Sequence, residues 1–321
     1  MKDEGWFIVL NPFAANGRTI RRKKFILQQL DKAEIKFQFA ISNSREEASN
    51  IIHKAIEDGF RKFISVGGDG TLNALISGIF SQQKVSPSVI TIAVIPVGTG
   101  NDWIKTHGIS KSISKAIAVI RQGRTEFHDV GVVKKKMNAG IYLQYFINEA
   151  GFAFQGFVVE NIATSKWLKM GTLSFILGLI AALFKYKTTM VKIALSEEIS
   201  GEALRNDLNG NQHVEGKFFN ISAGIGKYAG SGMKLTPNAI SNDGLLDITI
   251  AGNFSKWEVI KNVLGLFNGS FVNYHKVSQF RAKRFFISSL PPVPIETDGE
   301  VFGYGDAEVE ILRNAIQVVV P

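Results

Sequence analysis

Three glycines and an aspartate close a short apolar run in Phe63-Ile64-Ser65-Val66-Gly67-Gly68-Asp69-Gly70-Thr71-Leu72-Asn73. Behind them Leu72, Leu75, Ile76, Ile79 and Phe80 recur at the spacing of one helical face. The segment reads as strand, tight turn and helix. Such a turn aims backbone N–H groups and the positive end of a helix dipole at one point, which suits phosphate. Glycine lets a phosphate approach the backbone with no Cβ in the way. Asp69 repels phosphate itself, so its charge makes sense beside Mg²⁺ or a metal-bound water. Taken alone, the same residues also describe an ordinary βα connection with Asp69 as a helix N-cap.

A second turn of this kind follows. Val89 to Ile95 is a continuous, β-branched apolar run, as in a buried parallel strand, and it ends in Pro96-Val97-Gly98-Thr99-Gly100-Asn101-Asp102. In an open α/β sheet, ligands bind where parallel strands end. The pattern repeats through the first 122 residues. Strands at Trp6–Leu10, Phe37–Ile41, Phe63 and Val89 alternate with helices at Arg18–Leu30, Ala48–Ile56, Leu72–Phe80 and Ile113–Ile120, which predicts βαβ units on a parallel sheet. From Thr125 the rhythm changes. Thr125–Val133, Gln144–Asn148, Thr188–Leu195, Lys217–Ala223, Leu245–Ala251, Val277–Ile287 and Ala307–Val320 read as strands with few helices between them. That predicts a mainly antiparallel β-sandwich. The boundary is expected near Gly123, giving an α/β nucleotide-binding domain over 1–123 and a β domain over 124–306.

In order and spacing these motifs resemble the catalytic-domain family of diacylglycerol kinases, which includes sphingosine-kinase-like enzymes and soluble bacterial lipid kinases. The resemblance runs through Asn11-Pro12 with Asn16-Gly17, Gly67 to Thr71, Pro96 to Asp102, and Phe146-Ile147-Asn148 with Gly151. It continues in Pro237-Asn238-Ala239 with Asp243-Gly244-Leu245-Leu246-Asp247, and ends in Asp298-Gly299-Glu300. It implies an NAD kinase-like α/β domain joined by residues 307–321. It also implies transfer of the γ-phosphate of ATP to a lipid hydroxyl, first of all diacylglycerol to phosphatidic acid. Asn11, Gly67, Gly68, Asp69, Gly70, Thr71, Gly98, Thr99, Asn101 and Asp102 would bind the nucleotide. Asp69 would hold Mg²⁺ through water, Glu300 would be the general base, and Asp243 would ligate a structural Mg²⁺. Read from the residues alone, Thr297 to Glu300 is also a fair hairpin turn, and Asn242-Asp243-Gly244 a turn before a strand. Which of Asp298 and Glu300 acts as base stays open. The chain departs from the family after Gly151, where a Gly-x-Asp or Gly-x-Asn pattern is usual and Phe152-Ala153-Phe154-Gln155 stands. A kinase of a long-chain base or other lipid, a soluble-substrate kinase of the NAD kinase type, and a silent lipid-binding regulator remain the alternatives.

Composition narrows the chemistry. There are no cysteines, so neither a disulfide framework nor a thiolate metal site is available. The five histidines show no metal-ligand spacing, and neither a P-loop nor a protein-kinase catalytic loop is present. The net charge of +9 gathers in Arg21-Arg22-Lys23-Lys24, Lys134-Lys135-Lys136 and Arg281 to Arg284. No nucleic-acid-binding motif accompanies it. An anionic membrane surface suits it, each basic residue there contributing roughly 1 kcal/mol. Leu168 to Phe184 is apolar but short of the ~20 residues a bilayer span needs. With Lys166, Trp167 and Lys169 before it and Lys185, Tyr186 and Lys187 after, it reads as a buried helix or as the mouth of a lipid site. The expectation is a cytoplasmic enzyme without a transmembrane span, peripheral to the inner membrane face. The oligomeric state stays open, a homodimer included.

Overall fold

The computed structural model describes residues 5–98, 100–137, 140–163, 172–201, 205–206 and 212–321. Two compact units result. One comprises Met1–Val130, Gly230–Gly232 and Arg313–Pro321, the other Gly131–Ala229 and Met233–Leu312.

The first unit runs β1 (Trp6–Leu10), α1 (Ala14–Lys32), β2 (Phe37–Ile41), α2 (Arg45–Glu57), β3 (Lys62–Gly67), α3 (Asp69–Ser81), β4 (Thr91–Pro96), α4 (Asp102–Thr106) and α5 (Ile113–Gln122). The strands pair in parallel in the order β2-β1-β3-β4. Beyond β4 the chain's end adds Gln317 and Val318, in parallel with Thr91 and Ile92. The apolar runs are continuous because helices cover the sheet. Ile8, Leu10, Ile64, Val66, Ala93 and Ile95 pack with Ile26 and Leu30 of α1 and with Ile113, Ile117 and Ile120 of α5. The entry to α2 is fixed by Ser44, whose Oγ accepts from Glu47 N at 3.1 Å.

In the second unit, β5 (Thr125–Met137) enters from the first. There follow β6 (Gly140–Phe146), β7 (Glu149–Ala153), α6 (Phe154–Ala163), α7 (Thr172–Lys185), β8 (Thr189–Gly201), β9 (Arg205–Asn206), β10 (Gln212–Phe218) and β11 (Asn220–Gly224). Then come β12 (Leu246–Ala251), α8 (Lys256–Asn268), β13 (Val277–Leu290), β14 (Pro294–Thr297), β15 (Glu300–Tyr304) and β16 (Ala307–Val319). Antiparallel pairing gives the order β15-β14-β7-β11-β12-β13, with β8 and the start of β16 also on β13 and β10 on β8. The core is aliphatic and aromatic, with Val191, Ile193, Ile221, Ile248 and Ile250 around Phe152 and Phe285, whose rings meet at 5.9 Å.

The parallel sheet and the antiparallel β domain match the sequence reading of fold class. The division of the chain differs in detail. Gly123 is the left-handed C-cap of α5, with φ 70°, so it ends a helix while β5 carries the chain on to Val130. The return to the first unit begins at Arg313 rather than at residue 307. Three helices were not anticipated: α4, α6 and α8. Of the apolar segment around Leu168 to Phe184, Lys166, Trp167, Leu168 and Lys169 lie outside the described residues. Met170 and Gly171 lie outside them too, and from Thr172 the segment forms α7, in which Ala182 and Leu183 are buried and Ile180 and Phe184 are exposed. Among the described residues no helix is long and apolar enough to cross a membrane.

One buried cluster in the first unit makes stability pH-dependent. His128 is buried, accepts from Trp103 Nε1 at Nε2 (3.2 Å), and meets Asp129 O at Nδ1 (2.5 Å), which places its proton on Nδ1. Burial lowers its pKa to about 4, against the backbone bond that raises it. The His107 ring lies 5.1 Å away, held well below the usual range by burial and then by His128. An unfolded histidine takes up its proton near pH ~6.5. As pH falls from there toward 4, the unfolded chain binds protons that the native state refuses, so stability is lost across that window. His107→Phe keeps a ring against Trp103 and removes one titrating group. Its unfolding midpoint should fall less steeply than wild type between about pH 6.5 and 5; parallel slopes in a thermal-shift series would reject the assignment.

Candidate active site

In the first unit, three neighbouring parallel strands end at one edge, and each end carries predicted residues. After β1, Asn11 Oδ1 accepts from Phe13 N at 2.9 Å, turning the chain into α1. After β3 and β4 the two glycine turns lock together. The carbonyl of Gly67 accepts from both Val97 N (2.8 Å) and Gly98 N (3.1 Å). A Cβ on Gly98 would lie 2.7 Å from Gly68 Cα and 2.8 Å from Asn101 Oδ1, so this contact requires glycine. Gly67 likewise leaves room for the buried side chain of Thr71, which packs against it. Gly70 is exposed in the first turn of α3. Thr99 lies outside the described residues.

Asp69 joins the turns from the helix side. Its Oδ2 accepts from Asp102 N at 3.0 Å and its Oδ1 from Trp103 N at 3.2 Å, so one carboxylate caps α4. Asp102 is buried and structural: Lys105 Nζ reaches Oδ1 at 2.6 Å, and Ser231 N donates to Oδ2 at 2.7 Å. Asn101 is left-handed, with φ 51°, and closes the second turn by donating to Gly98 O at 2.7 Å. Sequence reading missed Lys105, Ser231 and Arg45, which bonds the buried Asn73. Ser231 is remote in sequence, and no motif marks it.

The turn geometry fits a nucleotide phosphate. Two backbone turns meet where no Cβ fits, at the N-terminus of a thirteen-residue helix. Among the described residues no three His, Asp or Glu side chains form a group that could hold a bare metal ion. The donor set therefore fits a Mg²⁺ carried chiefly by the phosphates, with Asp69 the carboxylate beside them, since that of Asp102 is engaged by Lys105 and Ser231 N.

In the second unit, Asp298 and Gly299 form the tight turn between β14 and β15, with φ 49° and 85°. The three carboxylates around it have different surroundings. Asp298 Oδ2 accepts from Ile147 N (2.9 Å), and Oδ1 accepts from Asn148 N (3.0 Å) and Glu149 N (2.9 Å). Both its oxygens thus hold the turn before β7. Glu296 is buried, accepting from Gly299 N and from Gln155 Nε2, each at 2.7 Å. Burial, then the charge of Glu149, pushes its carboxyl well above the ordinary range. Glu300, the first residue of β15, is partly exposed. Gln155, where the chain departs from the family pattern, ties Glu296 to Ser222 Oγ at 2.9 Å.

Asp243 answers its expectation differently. Its Oδ1 accepts from Leu245 N at 3.0 Å, which is the turn reading. Its Oδ2 bonds the guanidinium of Arg281, which also reaches Asp247 at 3.4 Å. Asp247 and Arg281 are register partners on β12 and β13. Asp247 is buried and its pKa rises to about 6, chiefly by burial, with Arg281 pulling it back. One guanidinium thus bonds both carboxylates, and among the described residues no three His, Asp or Glu side chains gather here as a ready metal cage, so the geometry shows an Arg-bonded turn at the place where the resemblance implies a structural Mg²⁺.

Comparison with known proteins covers both units. A family described as the diacylglycerol kinase catalytic domain matches residues 5–133, and one described as the YegS C-terminal NAD kinase beta sandwich-like domain matches residues 152–320. A diacylglycerol kinase of Mycobacterium tuberculosis (strain ATCC 25618 / H37Rv) is 25% identical over 315 residues, covering 97% of this chain and 93% of its own. A diacylglycerol kinase of Bacillus subtilis (strain 168) is 27% identical over 318 residues, covering 98% and 95%. The crystal structure of a diacylglycerol kinase from Bacillus anthracis str. Sterne superposes with a TM-score of 0.70 at 21% identity, covering 100% of this chain and 98% of that one. That of yeast NADH kinase does so with a TM-score of 0.54 at 11% identity, covering 99% and 83%. These last two likenesses are of fold.

The carboxylates of the turn should separate in stability measurements. Asp298→Ala strands three N–H donors and should lower the unfolding free energy by about 2 kcal/mol, discounted for partial exposure. Glu300→Ala should stay within about 0.5 kcal/mol of wild type. Denaturant melts of the two variants decide this, and the opposite ranking would overturn the assignment of Asp298 as the anchor.

Proposed function

The chain belongs to the family of diacylglycerol kinase-like lipid kinases, and from that premise we propose that it phosphorylates diacylglycerol with ATP to give phosphatidic acid. The observation that carries this reading is that the nucleotide turns and the Asp298-Gly299-Glu300 turn are both built, on a chain aligned nearly end to end with diacylglycerol kinases.

In this reading the first unit binds the donor. Backbone N–H groups of Gly68 and Gly70 meet the phosphates, assisted by the N-terminus of α3, while Gly98, whose N–H is bonded to Gly67 O, lets the second turn close against the first. Thr71, Asn101 and Asp102 hold the turns in shape rather than touching the nucleotide, as their burial and bonds suggest. Mg²⁺, when bound with ATP, neutralises charge on the transferring phosphoryl group, and Asp69 is the residue that would hold it through water. Glu300 takes the proton of the acceptor hydroxyl as the new O–P bond forms and the bond to the ADP oxygen breaks. Asp298, committed to three backbone donors, positions the turn instead. The basic surface favours a peripheral place on the inner membrane face, where such an acceptor resides.

A labelled-ATP assay against diacylglycerol, a long-chain base and other lipid alcohols in mixed micelles, with NAD as a soluble control, tests the acceptor. Phosphorylation of NAD alone would reject the lipid reading. Glu300→Gln should lower kcat about 10²–10⁴-fold. The KM for ATP should hardly change, because the phosphate-binding turns belong to the other unit. A raised KM for ATP at normal kcat would instead make Glu300 a nucleotide-positioning residue. Asp69→Asn should abolish turnover, and full activity with unchanged Mg²⁺ dependence would remove Asp69 from the reaction.

A further inference from the structure

Helix α8 is complete in itself and yet apolar on its outer side. At its start Ser255 and Glu258 form a capping box, and at its end Gly269 is a left-handed cap with φ 85°. Its inner side packs on the second unit: Val259 and Ile260 lie against the main core, and Leu266 against Leu235 and Phe271. A surface helix ordinarily turns polar residues outward. Here Trp257 is 67% exposed, Leu264 76% and Phe267 48%, and Trp257 and Leu264 stand two turns apart on one stripe with Lys261 between them.

Among the described residues of α8 and the end of α7, the outward charge has one sign. The one acid of α8, Glu258, is turned away into the capping box, Tyr274 OH (3.1 Å) and Lys276 Nζ (2.6 Å). Lys256 lies 5.2 Å above the ring of Phe184, and Phe184 and Ile180 extend the exposed apolar surface along the end of α7, followed by Lys185. The face is therefore large apolar side chains among lysines, on a chain of net charge +9. An aromatic and aliphatic stripe flanked by cations matches the boundary of an anionic bilayer, where rings sit at headgroup depth and lysines meet phosphate.

We propose that the outer face of α8, with the exposed end of α7, is the surface by which this protein docks on an anionic lipid bilayer. Trp257 and Leu264 enter the headgroup layer, and Lys256 and Lys261 sit at the level of the lipid phosphates. The inference rests on the lipid-kinase reading, but its test does not use turnover. Vesicle flotation without ATP compares wild type with Trp257→Ser/Leu264→Ser on phosphatidylglycerol–phosphatidylcholine vesicles. Wild type should float and lose binding as salt rises. The double variant should bind about a hundredfold more weakly, since it forfeits the burial of two large side chains. Lys261→Glu should lose mainly the salt-sensitive part. Chains brominated near the headgroup should quench wild-type tryptophan fluorescence, and Trp257→Phe should lose that quenching although three tryptophans remain.

Unchanged vesicle binding by the double variant, or equal binding to neutral and anionic vesicles, overturns the proposal. So does a wild-type dimer in sedimentation that the double variant dissolves without any change at vesicles, which would make the face a contact between copies. Docking through α8 in a protein that phosphorylates no lipid would leave this inference standing and reject the function. A double variant that still phosphorylates a short-chain, water-soluble diacylglycerol at the wild-type rate separates docking from catalysis.

Discussion

The nucleotide half of the molecule depends on one closure: two glycine turns pressed together with an aspartate spanning them. Gly67 O receives two N–H groups from the second turn, and Gly98 comes so near Gly68 that a methyl group would not fit. Asp69 then takes the first two N–H groups of α4. Its negative charge is thereby held at a helix N-terminus, where it is favoured, instead of against an empty turn. The three parallel strand ends, the α3 N-terminus and the carboxylate follow as one rigid arrangement, because displacing either turn breaks the bonds of the other. Asp69 is a cap in structure, and the same placement keeps a charge where phosphates and their metal would need one.

What the sequence disclosed follows from local physics. Continuous β-branched runs, helical spacing and glycine turns are set by neighbours in the chain, so the parallel sheet and its two turns were legible from residues alone. The antiparallel half was legible as strands but not as boundaries. The division at Val130 and the visit of Gly230–Gly232 to the first unit arise from packing between distant residues. The missed helix α8 had its signal in Ser255 and Glu258, a capping box ahead of apolar residues. Its Trp, Val, Ile and Phe content reads equally as strand, and that ambiguity hid it. Arg281 could not be read at all. It lies in a basic run that looks like solvated surface, and only the pairing of β12 with β13 sets it between Asp243 and Asp247.

The Asp298-Gly299-Glu300 turn shows why residue type does not assign a role. Within five residues three carboxylates meet three environments. Glu296 loses water and faces Glu149, and both push its carboxyl well above the ordinary range, while it accepts from Gly299 N and so anchors the turn. Asp298 is compensated by three N–H groups, which favour its ionised form. Glu300 keeps partial access to water at the start of β15. Gln155 belongs to the same logic. An acid there would add a further negative charge beside Glu296, whereas the amide donates to Glu296 and accepts from Ser222, so the departure from the family pattern fits the buried carboxyl it supports.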